Sequence, residues 1–371
     1  MTNRERMLAV LNYEDYDRLP VVHFGFWGET LQKWHEQGHL TYEESTTWGD
    51  GNLTDRVISK KLGFDHNWST CAGAQSRVFP AFESKVLRER EDGSREVLNA
   101  EGMVVLESPG AGSIPAEIDY TLKGRKEWEE EYKPRLQWSE DRIDREALKA
   151  LPGPDERETP LGVFCGSLFG QIRNWVGVEA ISYLYMDDFD LYKEMIDTVG
   201  ELSYQAVKNT LETGTVFDFG HFWEDICFKN GPLVIPSVFE ELVGPHYKRI
   251  TSLLNEYGVN IVSLDCDGKI DALVPIWLEN GVNTMFPIEV GTWDANIAPW
   301  REQYGKDLRG VGGMNKTVFA KDRAAIDAEV ERLKPLVELG GFIPCPDHRI
   351  APDAEWDNVR YYCDQMRQTF G

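Results

Sequence analysis

The sequence predicts an α/β protein, a TIM (β/α)8 barrel with a β-rich insertion after the second strand. Three observations predict this fold. Eight strand-like segments alternate with helical ones along the 371 residues, which is the pattern of repeated βαβ units. The length suits one barrel of this kind that carries an insertion. No strand-like segment is followed by GxGxxG or a P-loop, which argues against the alternative, a doubly wound open sheet.

The first two units of the predicted barrel precede the insertion. Their elements are a helix over 4–12, a strand over 21–24, a helix over 28–38 that Gly38 ends, and a strand end at 62–66. Residues 70–160 are predicted as an inserted cap and connector within a single domain, 1–371. Asp92-Gly93 lies between two alternating segments and predicts a β-hairpin turn. The rest of the insertion is polar and rich in Pro, with one helical stretch at 126–136.

From residue 160 onward, strands and helices alternate regularly. The predicted strands are 161–165, 216–220, 259–264, 282–287, 308–312 and 341–344. The predicted helices are 187–212, 237–257, 270–280, a short polar helix that ends near 304, 322–339 and 356–369. Together with the two earlier units, these segments supply the strands of the predicted barrel.

Composition excludes several classes of function. The net charge of −24 argues against nucleic acid and anionic membranes as partners. No apolar run approaches the roughly 18 residues that span a bilayer. The first twenty residues have neither the apolar core of a signal peptide nor the composition of a transit peptide, so a cytoplasmic location is expected. The six Cys are far apart and form no CxxC pair, so we expect buried thiols, metal ligands or a nucleophile.

Chemically active side chains concentrate where the predicted strands end. The active site of a TIM barrel lies at the C-terminal ends of its strands. Four of the seven His and three of the six Cys lie at these ends. They are His23, His66, His221, His348, Cys165, Cys266 and Cys345. Acidic residues accompany them, so this edge of the barrel is the predicted site.

Two short segments are predicted to hold a metal ion or to move protons. Cys266 lies between Asp265 and Asp267, and a thiolate beside carboxylates can bind a metal. The alternative for this segment is an ordinary loop turn that caps the next helix. Cys345 and His348 are three residues apart in a loop stiffened by Pro, so both can reach one ion. The alternative there is a surface loop with an ion pair at Arg349.

A third segment runs from His221 to Asp225. If it is helical, His221 and Glu224 share one face. Glu224 would then be a third metal ligand or a general acid–base group. The alternative is that the acidic residues cap the N-terminus of a helix.

Aromatic residues crowd the same predicted edge. The chain has 12 Trp, a high number for its length. The candidate substrate-binding residues are His23, Phe24, Trp27, Trp223 and Trp293. A mouth lined with rings suits a flat hydrophobic substrate. For any single Trp, packing in the core is the alternative.

The chain resembles the uroporphyrinogen decarboxylase-like superfamily, and within it the corrinoid-linked methyltransferase branch. The similarity covers most of the chain. It is strongest at Asn3–Pro20, WEDICFKNGPLVIPSVF (223–239), DCDGKIDALVPIWLENGVN (265–283) and from Gly312-Gly313 to PDHRIAPD (346–353). Decarboxylases of the family carry an Arg-Gln-Ala-Gly-Arg segment after the first strand. Here that place reads HFGFWGE (23–29) and holds no Arg.

The resemblance implies a TIM barrel, zinc, and a corrinoid (cobalamin) carried by a separate corrinoid-binding protein. Methyltransferases of the family bind zinc through His-x-Cys after one strand and Cys after the last strand. In this chain the pattern is altered to Leu264-Asp265-Cys266 and His348. Cys266 and His348 would supply two zinc ligands, and Glu224, His221, Asp265 or Cys345 the third. The candidate catalytic groups are Glu224, Asp265, Asp267 and His348.

The leading hypothesis is a methyltransferase that moves a methyl group between a small organic molecule and the cobalt of a corrinoid protein. Aryl methyl ethers are the favoured donors, so the predicted reaction is an O-demethylation. The alternatives are a zinc-dependent methyl transfer to a thiol, a uroporphyrinogen-type decarboxylation of another carboxylate, and a non-catalytic barrel that binds a ligand.

Overall fold

The computed structural model describes residues 1–108 and 115–371. Its strands are β1 (Val22–His23), β2 (His66–Asn67), β3 (Cys71–Ala72), β4 (Lys85–Glu89), β5 (Arg95–Leu98), β6 (Met103–Glu107), β7 (Ala116–Tyr120), β8 (Gly162–Gly166), β9 (Phe219–Trp223), β10 (Cys227–Phe228), β11 (Gly231–Pro232), β12 (Val262–Asp265), β13 (Thr284–Phe286), β14 (Arg309–Met314) and β15 (Phe342–Pro346).

Helices separate most of these strands. The α-helices are α1 (Asn3–Leu11), α2 (Gly28–Glu36), α3 (Tyr42–Thr46), α4 (Leu53–Leu62), α5 (Arg125–Glu127), α6 (Arg145–Lys149), α7 (Gly170–Val176), α8 (Val178–Asp187), α9 (Phe189–Leu211), α10 (Pro236–Leu242), α11 (Gly244–Glu256), α12 (Val274–Glu279), α13 (Val290–Trp293), α14 (Ile297–Tyr304), α15 (Arg323–Glu338) and α16 (Trp356–Phe370). Trp128–Tyr132 is a π-helical turn, and Lys133–Leu136, Glu140–Arg142, Gly305–Asp307 and Lys316–Ala320 are 3₁₀ turns.

A seven-stranded parallel sheet forms the centre of the fold. Its order is β3-β8-β9-β12-β13-β14-β15, and every neighbouring pair in it is parallel. β1 pairs with β2 in parallel, and just beyond β1 Phe26 bridges Ile350. The α/β class with a parallel sheet is therefore confirmed. Because parallel strands end at one edge, this sheet brings the residues after each strand together.

A separate antiparallel sheet lies between β3 and β8 in the chain. Its order is β4-β5-β6-β7. The hairpin predicted at Asp92-Gly93 is confirmed, because β4 and β5 pair on either side of these residues. β4 is exposed, whereas Met103, Val104 and Val105 of β6 are buried. Residues 109–114 of the predicted insertion lie outside the described residues.

The core lies between the parallel sheet and the helices that cover it. β12 is buried along its whole length, as expected for a strand covered on both faces. The long helix α9 buries one face, which includes Met195, Val199 and Leu202. Each fully buried apolar side chain of this size contributes about 1.5–3 kcal/mol. None of the helices among the described residues is both long and apolar enough to cross a bilayer.

The structure differs from the prediction at two places that affect the site. β9 begins at Phe219, three residues later than the predicted 216–220. The reason is Asp218, whose buried carboxylate accepts hydrogen bonds from Arg4 Nε at 2.7 Å and Leu161 N at 2.9 Å and so fixes the loop before the strand. The helices α7 and α8 were not predicted. Gly170 begins the first, and Gly177 separates the two.

Candidate active site

A cavity of about 380 Å³ opens where the parallel strands end. Four aromatic side chains line it, namely Phe24, Trp27, Phe164 and Trp223. Three of them are among the predicted substrate-binding residues, and Phe164 is not. Carboxyl groups and His348 line the same space. The cavity therefore combines flat apolar walls with a strongly polar region.

Three carboxyl groups meet in this cavity, those of Asp225, Asp265 and Asp267. One carboxylate oxygen from each lies within 4.8 Å of the others. β12 ends at Asp265, and the alternation of side chains along an extended chain places Asp267 on the same side. Asp225 follows β9 with a positive φ of 49°, a conformation that non-glycine residues seldom adopt. Its backbone is bent at the point where its carboxyl group joins the other two.

Burial and mutual repulsion change the acidity of these groups. Asp265 is only 6% exposed. Burial, followed by the charges of Asp225 and Asp267, raises its pKa well above the usual range. Burial and the charge of Asp267 also raise the pKa of Asp225 to about 7. Three carboxylates this close are therefore unfavourable together unless they hold protons or another positive charge between them.

His348 completes the polar region. Its Nε2 lies 3.3 Å from Oδ2 of Asp267. Its ring stacks on Trp27 with the centroids 5.3 Å apart and the planes 16° apart. The preceding residue, Asp347, accepts hydrogen bonds from the backbone N–H groups of Gly291 at 2.8 Å and Lys316 at 3.0 Å. The loop that carries His348 is thus tied to two neighbouring strand ends.

An ion pair at Arg349, the alternative predicted for this loop, lies at the edge of the cavity, and its partner Asp50 was not predicted. Arg349 donates to both carboxylate oxygens of Asp50, at 3.2 and 2.7 Å. The guanidinium also lies over the rings of Phe24 and Trp48, at 5.5 and 5.3 Å from their centroids. This pair connects the loop after β15 with the segment before α4.

A second cavity of about 260 Å³ adjoins the first. The two share Arg77, Phe164 and Trp223 as lining residues. Its far wall includes Glu101 and Met103, which belong to the antiparallel sheet and its preceding turn. The residues of this sheet therefore contribute to the site. Sequence patterns gave no signal for Arg77 or Phe164.

Glu224 lies outside the carboxyl cluster. The prediction that a helix places His221 and Glu224 on one face is wrong, because Phe219–Trp223 is a strand. His221 lines the cavity, whereas Glu224 is completely buried behind it. The carboxylate of Glu224 accepts five hydrogen bonds. The donors are Ser167 Oγ, the backbone N–H groups of Leu168, Phe169 and Gly170, and the hydroxyl of Tyr247.

The two cysteines predicted as metal ligands also lie outside the cluster. Cys266 is 2% exposed, and its Sγ accepts a hydrogen bond from Ile226 N at 3.4 Å. Cys345 is fully buried within β15. Burial raises the pKa of both thiols well above the usual range. Neither thiol lines the cavity.

The remaining predicted substrate-binding residues, His23 and Trp293, are not in the cavity lining. His23 Nδ1 accepts a hydrogen bond from Gly25 N at 2.9 Å, so Nε2 carries the proton and donates to Ser59 Oγ at 2.8 Å. Burial lowers the pKa of His23 to about 3. Trp293 packs near Trp300, with the ring centroids 6.2 Å apart.

Comparison with known proteins finds a matching family model. The model of the uroporphyrinogen decarboxylase (URO-D) family matches residues 132–369. Among curated proteins, none matches the sequence.

Two solved structures share the fold. A methyltransferase from Methanosarcina mazei superposes with a TM-score of 0.63 at 16% identity, covering 99% of this chain and 98% of that chain. A B12-independent methionine synthase from Shewanella sp. W3-18-1, in complex with selenomethionine, superposes with a TM-score of 0.50 at 10% identity, covering 95% of this chain and 98% of that one. At these identities, the resemblance establishes the fold alone.

Proposed function

The chain belongs to the uroporphyrinogen decarboxylase (URO-D) family, and from this premise we propose that it is a methyltransferase. The methyl group moves between a small organic donor and the cobalt of a corrinoid carried by a separate protein. An aryl methyl ether is the favoured donor, so the reaction is an O-demethylation. The proposal includes a closed (β/α)8 barrel, since Phe26 beside β1 bridges Ile350 beside β15.

One observation carries the proposal: the cavity at the strand ends has aromatic walls and a wall of carboxyl groups. Phe24, Trp27 and Trp223 provide flat apolar surfaces, which suit the ring of a methoxylated arene. Asp265 and Asp267 lie in the same cavity. A ring held against the aromatic walls would place a methoxy oxygen near these groups.

The carboxyl cluster gives this cavity a means to assist ether cleavage. When the bond between the methyl carbon and the oxygen breaks, its electron pair stays on the oxygen, which becomes a phenolate. A corrinoid presented at the cavity mouth would supply the nucleophilic cobalt that takes the methyl group. Positive charge held between Asp225, Asp265 and Asp267 would stabilise the developing phenolate, as preorganised charges do at other active sites.

Zinc bound through cysteine does not fit the arrangement of this chain. A cysteine that shared an ion with His348 would have to reach the cavity that His348 lines. Cys266 and Cys345 are buried, and neither lines that cavity. No step of the proposed reaction therefore depends on a sulfur-bound zinc.

The test is methyl transfer by the full chain from 2-methoxyphenol to cob(I)alamin. We expect equal amounts of catechol and methylcobalamin, followed by chromatography and by the visible spectrum of the corrinoid. The same protein is offered methylcobalamin with a thiol, and a set of aromatic carboxylates. Methylated thiol, or release of CO2, without demethylation in any methoxyarene tested would contradict the proposal and favour one of the other reactions of the superfamily.

A further inference from the structure

We propose that Asp225, Asp265, Asp267 and His348 bind one divalent metal ion through oxygen and nitrogen donors. The ion takes the place of a cysteine-bound zinc and lies on the other side of the chain from Cys266. The inference deepens the proposed function and rests on it for the chemical role of the ion. The binding of the ion itself rests only on the geometry of the cluster.

The distances among the donor atoms suit a single ion after small movements. One oxygen from each carboxylate lies within 4.8 Å of the others. Two donors of a tetrahedral ion bound at ~2.1 Å lie about 3.4 Å apart. Rotation of the carboxylate side chains by under about 1 Å each brings the three oxygens to this separation. His348 Nε2 is already 3.3 Å from Asp267 Oδ2, a separation typical of adjacent ligands.

Buried polar groups without partners point to a missing ligand independently of the clustering. Asp265 is 94% buried, lines the cavity, and accepts no hydrogen bond from the described residues. His221 is 5% exposed and lines the same cavity. Its Nδ1 lies 2.6 Å from Ser263 Oγ, and its Nε2 has no hydrogen-bond partner in the described part of the chain. These atoms open onto the cavity, and buried polar groups are almost always satisfied, so their partner is a species that occupies the cavity.

Two further atoms of the cluster also lack a hydrogen-bond partner among the described residues. They are Oδ1 of Asp267 and Nδ1 of His348, and both are inaccessible. A metal ion would draw Asp267 toward the centre of the cluster.

The cations near the cluster do not balance its charge. The Arg349 guanidinium is engaged by both oxygens of Asp50. The Lys316 ammonium donates to the carbonyl of Arg349 at 3.1 Å. Arg173 acts on Asp225 through its charge alone. An ion bound directly between the carboxylates supplies the positive charge that these side chains do not.

The donor set also indicates the class of ion. Carboxylates with one imidazole are typical ligands of Zn²⁺, Mn²⁺ and Fe²⁺, whereas a thiolate would favour softer metals. An ion at this position would act as a Lewis acid toward a methoxy oxygen in the cavity.

The experiment is metal binding by the full chain after removal of bound metal with a chelator and gel filtration. Zn²⁺ and Mn²⁺ are added separately, and binding is followed by calorimetry and elemental analysis. We expect one ion per chain for at least one metal. Asp265→Asn should weaken its affinity at least ~100-fold, and His348→Ala at least ~10-fold. Thermal unfolding of each apo variant verifies that the fold is kept.

Two variants serve as controls. Glu101→Gln also removes one negative charge from the lining of the joined cavities, but at the far end, and should leave the affinity within ~3-fold. Cys266→Ser should do the same. Co²⁺ provides a spectroscopic test, because a thiolate ligand adds an intense near-ultraviolet charge-transfer band. The expected spectrum of the Co²⁺ protein has no such band.

Several results would overturn the inference: wild-type protein that binds neither ion stoichiometrically, Asp265→Asn with unchanged affinity, or loss of the ion in Cys266→Ser. Failure of the proposed function is a separate result. Methyl transfer by a protein that holds no ion would support the proposed function and overturn the metal site. The carboxyl groups of the cluster would then be balanced by protons. A bound ion with no methyl transfer would leave the metal site standing and remove the proposed reaction.

Discussion

Asp225 adopts a backbone conformation that costs free energy at the place where its carboxyl group is needed. Its φ of 49° lies in the left-handed region, which costs roughly 1–3 kcal/mol for a residue other than glycine. Gly at this position would relieve the strain but remove the carboxyl group. Asp at this position supplies a carboxyl group that glycine could not, and its Oδ1 also accepts a hydrogen bond from Asp267 N at 3.1 Å.

The contrast between Asp265 and Cys266 gives the first prediction. Asp265→Asn should lower kcat/KM for methyl transfer at least ~100-fold, because the charged wall of the cavity loses its most buried member. Cys266→Ser should stay within ~3-fold, since this thiol faces away from the cavity. Initial rates of methylcobalamin formation measure both. Equal losses in the two variants would contradict the assignment.

The stacking of Trp27 on His348 gives the second prediction. Trp27→Ala should raise KM for a methoxyarene about 10-fold, because it removes a wall of the cavity and the ring against which His348 rests. Trp293→Ala is the matched control, since Trp293 is not in the cavity lining. Substrate titrations of initial rate give both constants. A larger effect at Trp293 than at Trp27 would be inconsistent with this arrangement.

At the scale of elements, Glu224 fixes the start of α7 to the end of β9. Its carboxylate accepts hydrogen bonds from three consecutive backbone N–H groups, those of Leu168, Phe169 and Gly170. A Cβ on Gly170 would lie 1.8 Å from the carbonyl oxygen of Glu224, so only glycine permits this approach. The contact holds Phe164 and Trp223, which line both cavities, on adjacent, fixed strands.

The third prediction concerns this anchor. Glu224→Gln should lower the free energy of unfolding by ~2–4 kcal/mol, because a neutral amide cannot accept from five donors as a buried carboxylate does. Urea unfolding followed by circular dichroism measures the change. Glu241→Gln, on an exposed surface of α10, should change it by less than ~0.5 kcal/mol. Similar values for the two variants would argue against an anchoring role.

Sequence patterns located the strands well and the inward side chains less well. β12, β14 and β15 were predicted because short apolar segments are bounded by turns. The period-two rule applied to β9 would have selected His221, Trp223 and Asp225 and rejected Glu224. The predicted strand ended at Gly220, three residues before the observed end at Trp223, and this hid the alternation. Asp50, the partner of Arg349 in its ion pair, had no local signal, because the two are 299 residues apart.

At the scale of the whole molecule, buried His and Asp side chains contribute to the pH dependence of the free energy of unfolding with opposite signs. Burial lowers the pKa of His66 and of His221 to about 4, so the folded protein keeps them neutral. Below the unfolded pKa of ~6.5 the unfolded chain gains protons that the folded one does not, and stability falls as pH falls. Burial raises the pKa of Asp55 to about 6, which has the opposite sign.

The fourth prediction separates these contributions with two variants. We define the pH response as the free energy of unfolding at pH 7 minus that at pH 5. His66→Asn should decrease this response by about 2 kcal/mol, because a group with pKa ~6.5 unfolded and about 4 folded loses that much stability over this range. Asp55→Asn should increase it by about 1 kcal/mol, because a carboxyl group with a raised folded pKa stabilises the folded state at pH 5 and loses this effect as pH rises through 6.

His66 is a suitable site, since neither ring nitrogen has a partner among the described residues and the substitution removes no hydrogen bond. Urea titrations at the two pH values measure each response. Changes of the same sign in both variants would contradict burial as the origin of these shifts.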